Sequence, residues 1–157
     1  MTITLGLVLA LLGIALAVGL PGAGSATGIS IAGRGAAGLI SEEPEKFGAT
    51  IILTALPGTQ GIYGFVMGIL ILLKTGLLSG HAQPMSLERG LALLFSSLPI
   101  AIAGFASAIY QGKVCAAGIG IAARQPQDTM KGVILAVFVE FYAVLGLLAS
   151  ILMWLNI

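Results

Sequence analysis

Residues 132–157 read GVILAVFVEFYAVLGLLASILMWLNI, a run whose single charged side chain is Glu140. A membrane-spanning helix needs about 20 predominantly apolar residues. The run is long enough, and its apolar residues are continuous rather than alternating, which argues against a membrane β-strand. Three further stretches meet the same test, at about 3–32, 48–73 and 91–122. Together they take up most of the 157 residues, of which 58% are hydrophobic and only 8% charged, with mean hydropathy +1.10. Soluble domains carry about 25% charged residues, and disordered chains have the opposite balance of low hydrophobicity and high charge. The chain therefore reads as an all-α membrane protein, a single membrane domain over 1–157 whose four transmembrane helices sit in a lipid bilayer. A net charge of +1 offers no basic footprint for nucleic acid. With one cysteine, Cys115, and one histidine, His81, there is no internal disulfide and almost no material for a zinc site or a histidine-based triad.

Polar connectors separate the spans at Ser41–Lys46, His81–Arg89 and Arg124–Asp128. Each contains a proline, placed near a helix boundary where its missing N–H costs least. Gly24-Ser25-Ala26 resembles a signal-cleavage site, but no charged n-region precedes it, so the first stretch is read as a retained span. Arg34, Lys46, Lys113, Arg124 and Lys131 lie on the side of the first and third connectors, against Lys74 and Arg89 on the other. The positive-inside rule then puts the loops near 41–48 and 123–131 in the cytoplasm and both termini outside.

The second half resembles the first. At a shift of 82 positions Pro44 meets Pro126, Ile52-Leu53 meets Ile134-Leu135, and Gly64 meets Gly146. A two-span unit keeps its orientation when repeated, so the halves are two tandem parallel helical hairpins, 1–78 and 79–157, unlike inverted-repeat transporters. Glu140 breaks the correspondence, since Gly58 stands at its counterpart. Glycine and alanine crowd the first and third spans, with Gly24 and Gly28 forming a GxxxG pair. Small residues let helix backbones approach closely in lipid. That density suits first and third helices packed on the inside of a tight ring, with the bulkier second and fourth outside.

Glu140 is the one acidic residue inside a span. An ionisable group at membrane depth is a functional-site hypothesis by default, because a charged, unpaired carboxylate there is costly. No lysine or arginine lies at its level, so a proton, a small cation or a partner's arginine must neutralise it. Glu140 lies about eleven residues into its helix, roughly 16 Å at 1.5 Å per residue. Gln111 and Gln60 fall at similar depth in the third and second helices, with Thr59 and Tyr63 within a turn. Pro57 loosens the second helix, Gly58 and Gly61 on either side of Thr59-Gln60 add play, and backbone carbonyls are freed. A carboxylate, two amide oxygens, a hydroxyl and a backbone carbonyl make an oxygen cage, the ligand set of hard cations. It holds more oxygens than a proton carrier needs, which favours sodium or lithium.

Pro57-Gly58-Thr59-Gln60-Gly61-Ile62-Tyr63-Gly64, Gln111-Gly112-Lys113 and Glu140 in a fourth helix resemble the proteolipid, or rotor-ring, subunits of V-type rotary ATPases, the bacterial sodium-pumping kind above all. The likeness extends over essentially the whole chain, including Pro44-Glu45-Lys46-Phe47-Gly48. It implies a homo-oligomeric rotor ring of about ten copies, each of them non-catalytic and each carrying one ion across the membrane as the ring turns. It also implies a central stalk docked on the cytoplasmic loops and a stator membrane protein with a transmembrane arginine. In the sodium-type relatives the ion is held by the equivalents of the Leu56 carbonyl, Thr59, Gln60, Gln111 and Glu140, and the equivalent of Tyr63 hydrogen-bonds the carboxylate. Proton-type relatives share the glutamate and the fold, so a proton-carrying rotor stays open. So does a small four-helix cation exporter, for which Phe141, Tyr142 and Trp154 would supply aromatic neighbours.

Overall fold

A computed structural model describes residues 4–80 and 84–157, and all regular structure among them is helical. The first span is α1 (Leu5–Glu42). The second, Pro44–Thr75, opens on a 3-10 turn, continues as α2 (Phe47–Ala55), tightens into a second 3-10 turn at Leu56–Gly58 and resumes as α3 (Thr59–Thr75). The third span is α4 (Leu87–Arg124). The fourth, Pro126–Leu155, enters through a 3-10 turn and runs on as α5 (Thr129–Leu155). All four are long and apolar enough to cross a membrane.

α1 runs about ten residues past the expected end at Ala32, through Gly33, Arg34, Gly35 and Gly38, so Ser41 and Glu42 belong to the helix rather than to the connector. Arg34 stays helical with its guanidinium donating back to the Ser30 carbonyl at 3.2 Å. What stops the helix is Pro44. A residue before proline is driven out of the α region, and Glu43 sits at φ −133°, ψ 77°. Gln125, before Pro126, ends α4 in the same way at φ −142°, ψ 76°. His81, Ala82 and Gln83 of the second connector lie outside the described residues, as do Met1–Ile3.

The hairpins run parallel and side by side. α1 and α4 are each 38 residues long, and their N-caps, Thr4 and Ser86, accept from the N–H groups of Leu7 and Arg89. The two helices touch along their length at matching levels. A methyl group placed on Gly24 would lie 2.6 Å from the Phe105 carbonyl oxygen, and one on Gly112 would lie 2.5 Å from the Gly28 Cα. Lipid tails are as apolar as leucine, so helices associate in a bilayer by such close packing rather than by hydrophobic exclusion.

Two apolar clusters flank the middle of the bundle. Leu7, Met67, Ile71 and Leu93 belong to the one toward the termini. Ala32, Leu53, Cys115 and Ile119 belong to the one toward the connectors, where Cys115 is a buried, free thiol serving as packing. The ends are tied by lysines. Lys46 donates to the Ala123 carbonyl at 2.6 Å, covering one of the last carbonyls of α4. Lys74 donates to the Trp154 carbonyl at 2.7 Å and sits over that indole at 4.5 Å.

Candidate ion-binding site

Between the two clusters lies a polar band. It begins where the second span breaks. Pro57 has no N–H to give, and the chain tightens into the Leu56–Gly58 turn, where the Leu56 carbonyl accepts the Thr59 N–H. The Thr59 hydroxyl donates to the same carbonyl at 3.0 Å and lies 3.4 Å from Gln60 Oε1. The Leu56 oxygen, the Thr59 oxygen and the Gln60 amide oxygen are thereby gathered in one place.

The orientation of both amides is set by a backbone group. Gln111 Nε2 donates to the Ala136 carbonyl at 3.1 Å, an acceptor with no donor capacity, and also to Glu140 Oε2 at 3.3 Å. Gln111 Oε1 must then accept, and Gln60 Nε2 donates to it at 2.7 Å. That leaves the Gln60 oxygen facing Thr59. The second carboxylate oxygen, Glu140 Oε1, accepts from the Tyr63 hydroxyl at 2.6 Å. Gln60 and Gln111 are fully buried, while Glu140, Thr59 and Tyr63 are half-buried. The structure thus brings Leu56, Thr59, Gln60, Tyr63, Gln111 and Glu140 into one hydrogen-bonded network spread over α3, α4 and α5 and the turn between α2 and α3.

Glu140 stands eleven residues above the start of α5, roughly 16 Å along its axis. Both ion pairs among the described residues, Glu43–Lys46 and Asp128–Lys131, lie at the connector end, far from it. Two donors reach Glu140, one on each oxygen. A carboxylate held charged at this depth calls for a counter-cation.

Two serines complete the network and were not singled out from the sequence. Ser107, one turn before Gln111, donates to the Val139 carbonyl at 2.9 Å and accepts from Gln60 Nε2 at 3.3 Å. Ser25 accepts from the Gly61 N–H at 2.9 Å, so α1 is linked to the band as well. The spacing of four residues between Ser107 and Gln111 was the available signal, since such residues share a helix face. No buried side-chain nitrogen or oxygen among the described residues lacks a partner.

Residues 12–71 and 94–153 each match the family model for the C subunit of ATP synthase. The chain is 48% identical to the V-type sodium ATPase subunit K of Enterococcus hirae, covering 96% of this chain and 93% of that protein. It is 36% identical to the A-type ATP synthase subunit K of Methanocaldococcus jannaschii, covering 96% of this chain and 98% of that one. A match in each hairpin leaves no room for the exporter alternative. The chain belongs to the ATP synthase C-subunit family, the non-catalytic, multi-pass proteolipid rotor proteins of ion-translocating rotary ATPases of the V and A types.

Proposed function

We propose that this rotor protein carries one sodium ion at Glu140, with the Leu56 carbonyl, Thr59, Gln60 and Gln111 as the further ligands and Tyr63 steadying the carboxylate. The observation that carries this reading is the pair of fully buried glutamines, whose amides are locked by the Ala136 carbonyl so that the Gln60 oxygen faces Thr59 and the Leu56 carbonyl. A proton on Glu140 would need one acceptor. Hard cations take several oxygens, and the relative from Enterococcus hirae belongs to a sodium ATPase.

The mechanism follows from charge. About ten copies form the ring, with the loops at 41–48 and 123–131 in the cytoplasm against the central stalk and both termini outside. Each copy is two hairpin units, 1–78 and 79–157, of which the second brings the carboxylate. A loaded site is neutral overall and tolerates contact with lipid as the ring turns. Beside the stator, a transmembrane arginine and water stabilise the emptied carboxylate, and the ion leaves. The site reloads from the opposite side. Coupling holds because the empty, charged form is excluded from lipid.

The test uses a carbodiimide, which reacts with a carboxyl group only when it is protonated. Labelling of Glu140 in the purified oligomer is followed across pH with and without sodium. Millimolar sodium slows labelling and equal potassium does not, if the cage binds sodium. Labelling that depends on pH alone makes the rotor a proton carrier.

A further inference from the structure

We propose that the end of the bundle opposite the 41–48 and 123–131 loops holds the phosphate of an anionic phospholipid headgroup between Lys74 and Arg89. The inference is independent of which ion the rotor carries. Of the seven lysines and arginines, five lie on the side of the first and third connectors. The other two are Lys74, in the last turn of α3, and Arg89, in the first turn of α4. They are fifteen residues apart in sequence, and the fold sets both on the wall of one cavity of about 400 Å3. Snorkelling toward water gives two like charges no reason to converge on one cavity.

The groups around the cavity are donors in want of an acceptor. Lys74 is held in place, giving one proton to the Trp154 carbonyl at 2.7 Å and sitting over the indole at 4.5 Å. An ammonium has three protons to donate, so two remain. The Arg89 guanidinium has five, and none is used in a hydrogen bond or ion pair among the described residues. Ser86, also on the wall, accepts the Arg89 N–H at 3.3 Å and keeps its own hydroxyl proton to give. Glu88, the acidic residue nearest in sequence, lines no part of the cavity and pairs with neither cation. An anion between the two cations relieves their repulsion, and the guanidinium fork matches a phosphate. The level fits a headgroup. The second span closes at Thr75 and the third opens at Leu87, so this is where hydrocarbon gives way to the polar layer, and Trp154 stands nearby as interfacial tryptophans do. Basic pockets between membrane helices bind lipid headgroups. Below the cations the wall is formed by Leu73, which is 55% exposed and offers an apolar surface to an acyl chain. A phosphatidylglycerol headgroup adds no positive charge, whereas phosphatidylcholine would bring its ammonium beside Lys74 and Arg89.

Trp154 is the single tryptophan, and Lys74 rests on its ring, so its fluorescence reads the site. The purified oligomer, stripped of lipid in detergent, is titrated with short-chain phosphatidylglycerol, with phosphatidylcholine of the same chains, and with inorganic phosphate. Native mass counts the lipid bound per chain. The expected result is a saturable change in emission with phosphatidylglycerol, at least tenfold lower in midpoint than with phosphatidylcholine, and no change with millimolar phosphate. R89Q should raise the phosphatidylglycerol midpoint tenfold or more with the oligomer's mass unchanged. K131Q, which removes one positive charge at the opposite end, should leave the midpoint where it was. Equal midpoints for the two lipids, an R89Q midpoint that does not move, or no phosphatidylglycerol retained by emission and mass overturns the headgroup site. Saturation by inorganic phosphate at the concentrations that serve for phosphatidylglycerol gives the cavity to a dissolved anion and overturns the lipid.

Discussion

The two hairpins share a backbone plan and divide the chemistry between them. Ser25 and Ser107 stand at equivalent positions, and each ties the first span of its hairpin to the second. Every other site position differs. Glu140 faces Gly58 in the alignment, Gln111 faces Ile29, and Thr59, Gln60 and Tyr63 face Phe141, Tyr142 and Leu145. The first hairpin contributes hydroxyl and amide oxygens and keeps no carboxylate. The second contributes the carboxylate and one amide and has Phe141, Tyr142 and Leu145 where the first has Thr59, Gln60 and Tyr63. Only the junction inside the chain is polar, and it collects all of these groups at once. A polar group at membrane depth is tolerated in company and expensive alone, so once one carboxylate was missing, its partners at that junction had no reason to stay polar. The backbones differ where these polar groups do. The second span of the first hairpin tightens at Leu56–Gly58, whereas α5 runs unbroken through Phe138-Val139-Glu140.

Removing the carboxylate from the half that has it should have the largest effect. Glu140→Gln keeps the shape but offers a single uncharged acceptor where Tyr63 and Gln111 each had a carboxylate oxygen. Sodium transport in reconstituted vesicles should be abolished while the oligomer keeps its native mass, and surviving transport would overturn the assignment of Glu140. The reverse change should be nearly as severe. Gly58→Glu restores the missing carboxylate to a place with no glutamine and with Leu145 where the other junction has Tyr63, and a Cβ there already meets Ile29 Cδ1 at 3.2 Å. A charge at mid-bilayer costs about 2.5–3.5 kcal/mol on insertion scales. The yield of assembled oligomer should fall steeply, and adding Ile29→Gln should recover part of it. Normal yield from Gly58→Glu alone would mean that this junction is wetter than its side chains indicate.

Much of this was legible in the residues. Four apolar runs gave the spans, and the counted depths of Gln60, Gln111 and Glu140 put them at one level, where they meet. The reach of α1 was not legible, because Gly33, Gly35 and Gly38 read as helix-weakening. In the bundle Gly35 lies against Ala116 and Ile119 of α4 and Gly33 against Thr54 of α2, and the helix runs on until Pro44 intervenes, so tertiary packing outweighs propensity. The orientation of the amides was hidden too. It depends on the Ala136 carbonyl, which belongs to the backbone and has no signature in sequence. Ser25 was masked by its surroundings, a run of glycine and alanine in which a serine reads as one more small residue.

Gln111→Leu should have a smaller effect. It deprives Glu140 of a donor and leaves the buried Gln60 amide with only the longer contact to Ser107. A buried donor left unpaired costs about 1–3 kcal/mol, and 1.4 kcal/mol is tenfold in affinity. Sodium protection against carbodiimide should shift to roughly tenfold higher concentration or more, with the oligomer still assembled. An unchanged sodium dependence would remove Gln111 from the cage.

The smallest difference is the most discriminating, because it sets equivalent residues against each other. Ser107→Ala removes a donor to the Val139 carbonyl and an acceptor of the Gln60 amide. Ser25→Ala removes only an acceptor of the Gly61 N–H. Hydrogen bonds between membrane helices average about 0.6 kcal/mol and reach about 1.7, so both variants should assemble and lose only a few degrees of thermal stability. They should part on ion binding. Ser107 touches the amide that aims the Gln60 oxygen, so its loss should raise the sodium needed for protection by a few-fold. Ser25 touches only backbone, so its loss should leave that concentration unchanged. Equal shifts in the two variants would mean that the serines act through helix packing alone, and that the two hairpins differ in chemistry only at the ligands themselves.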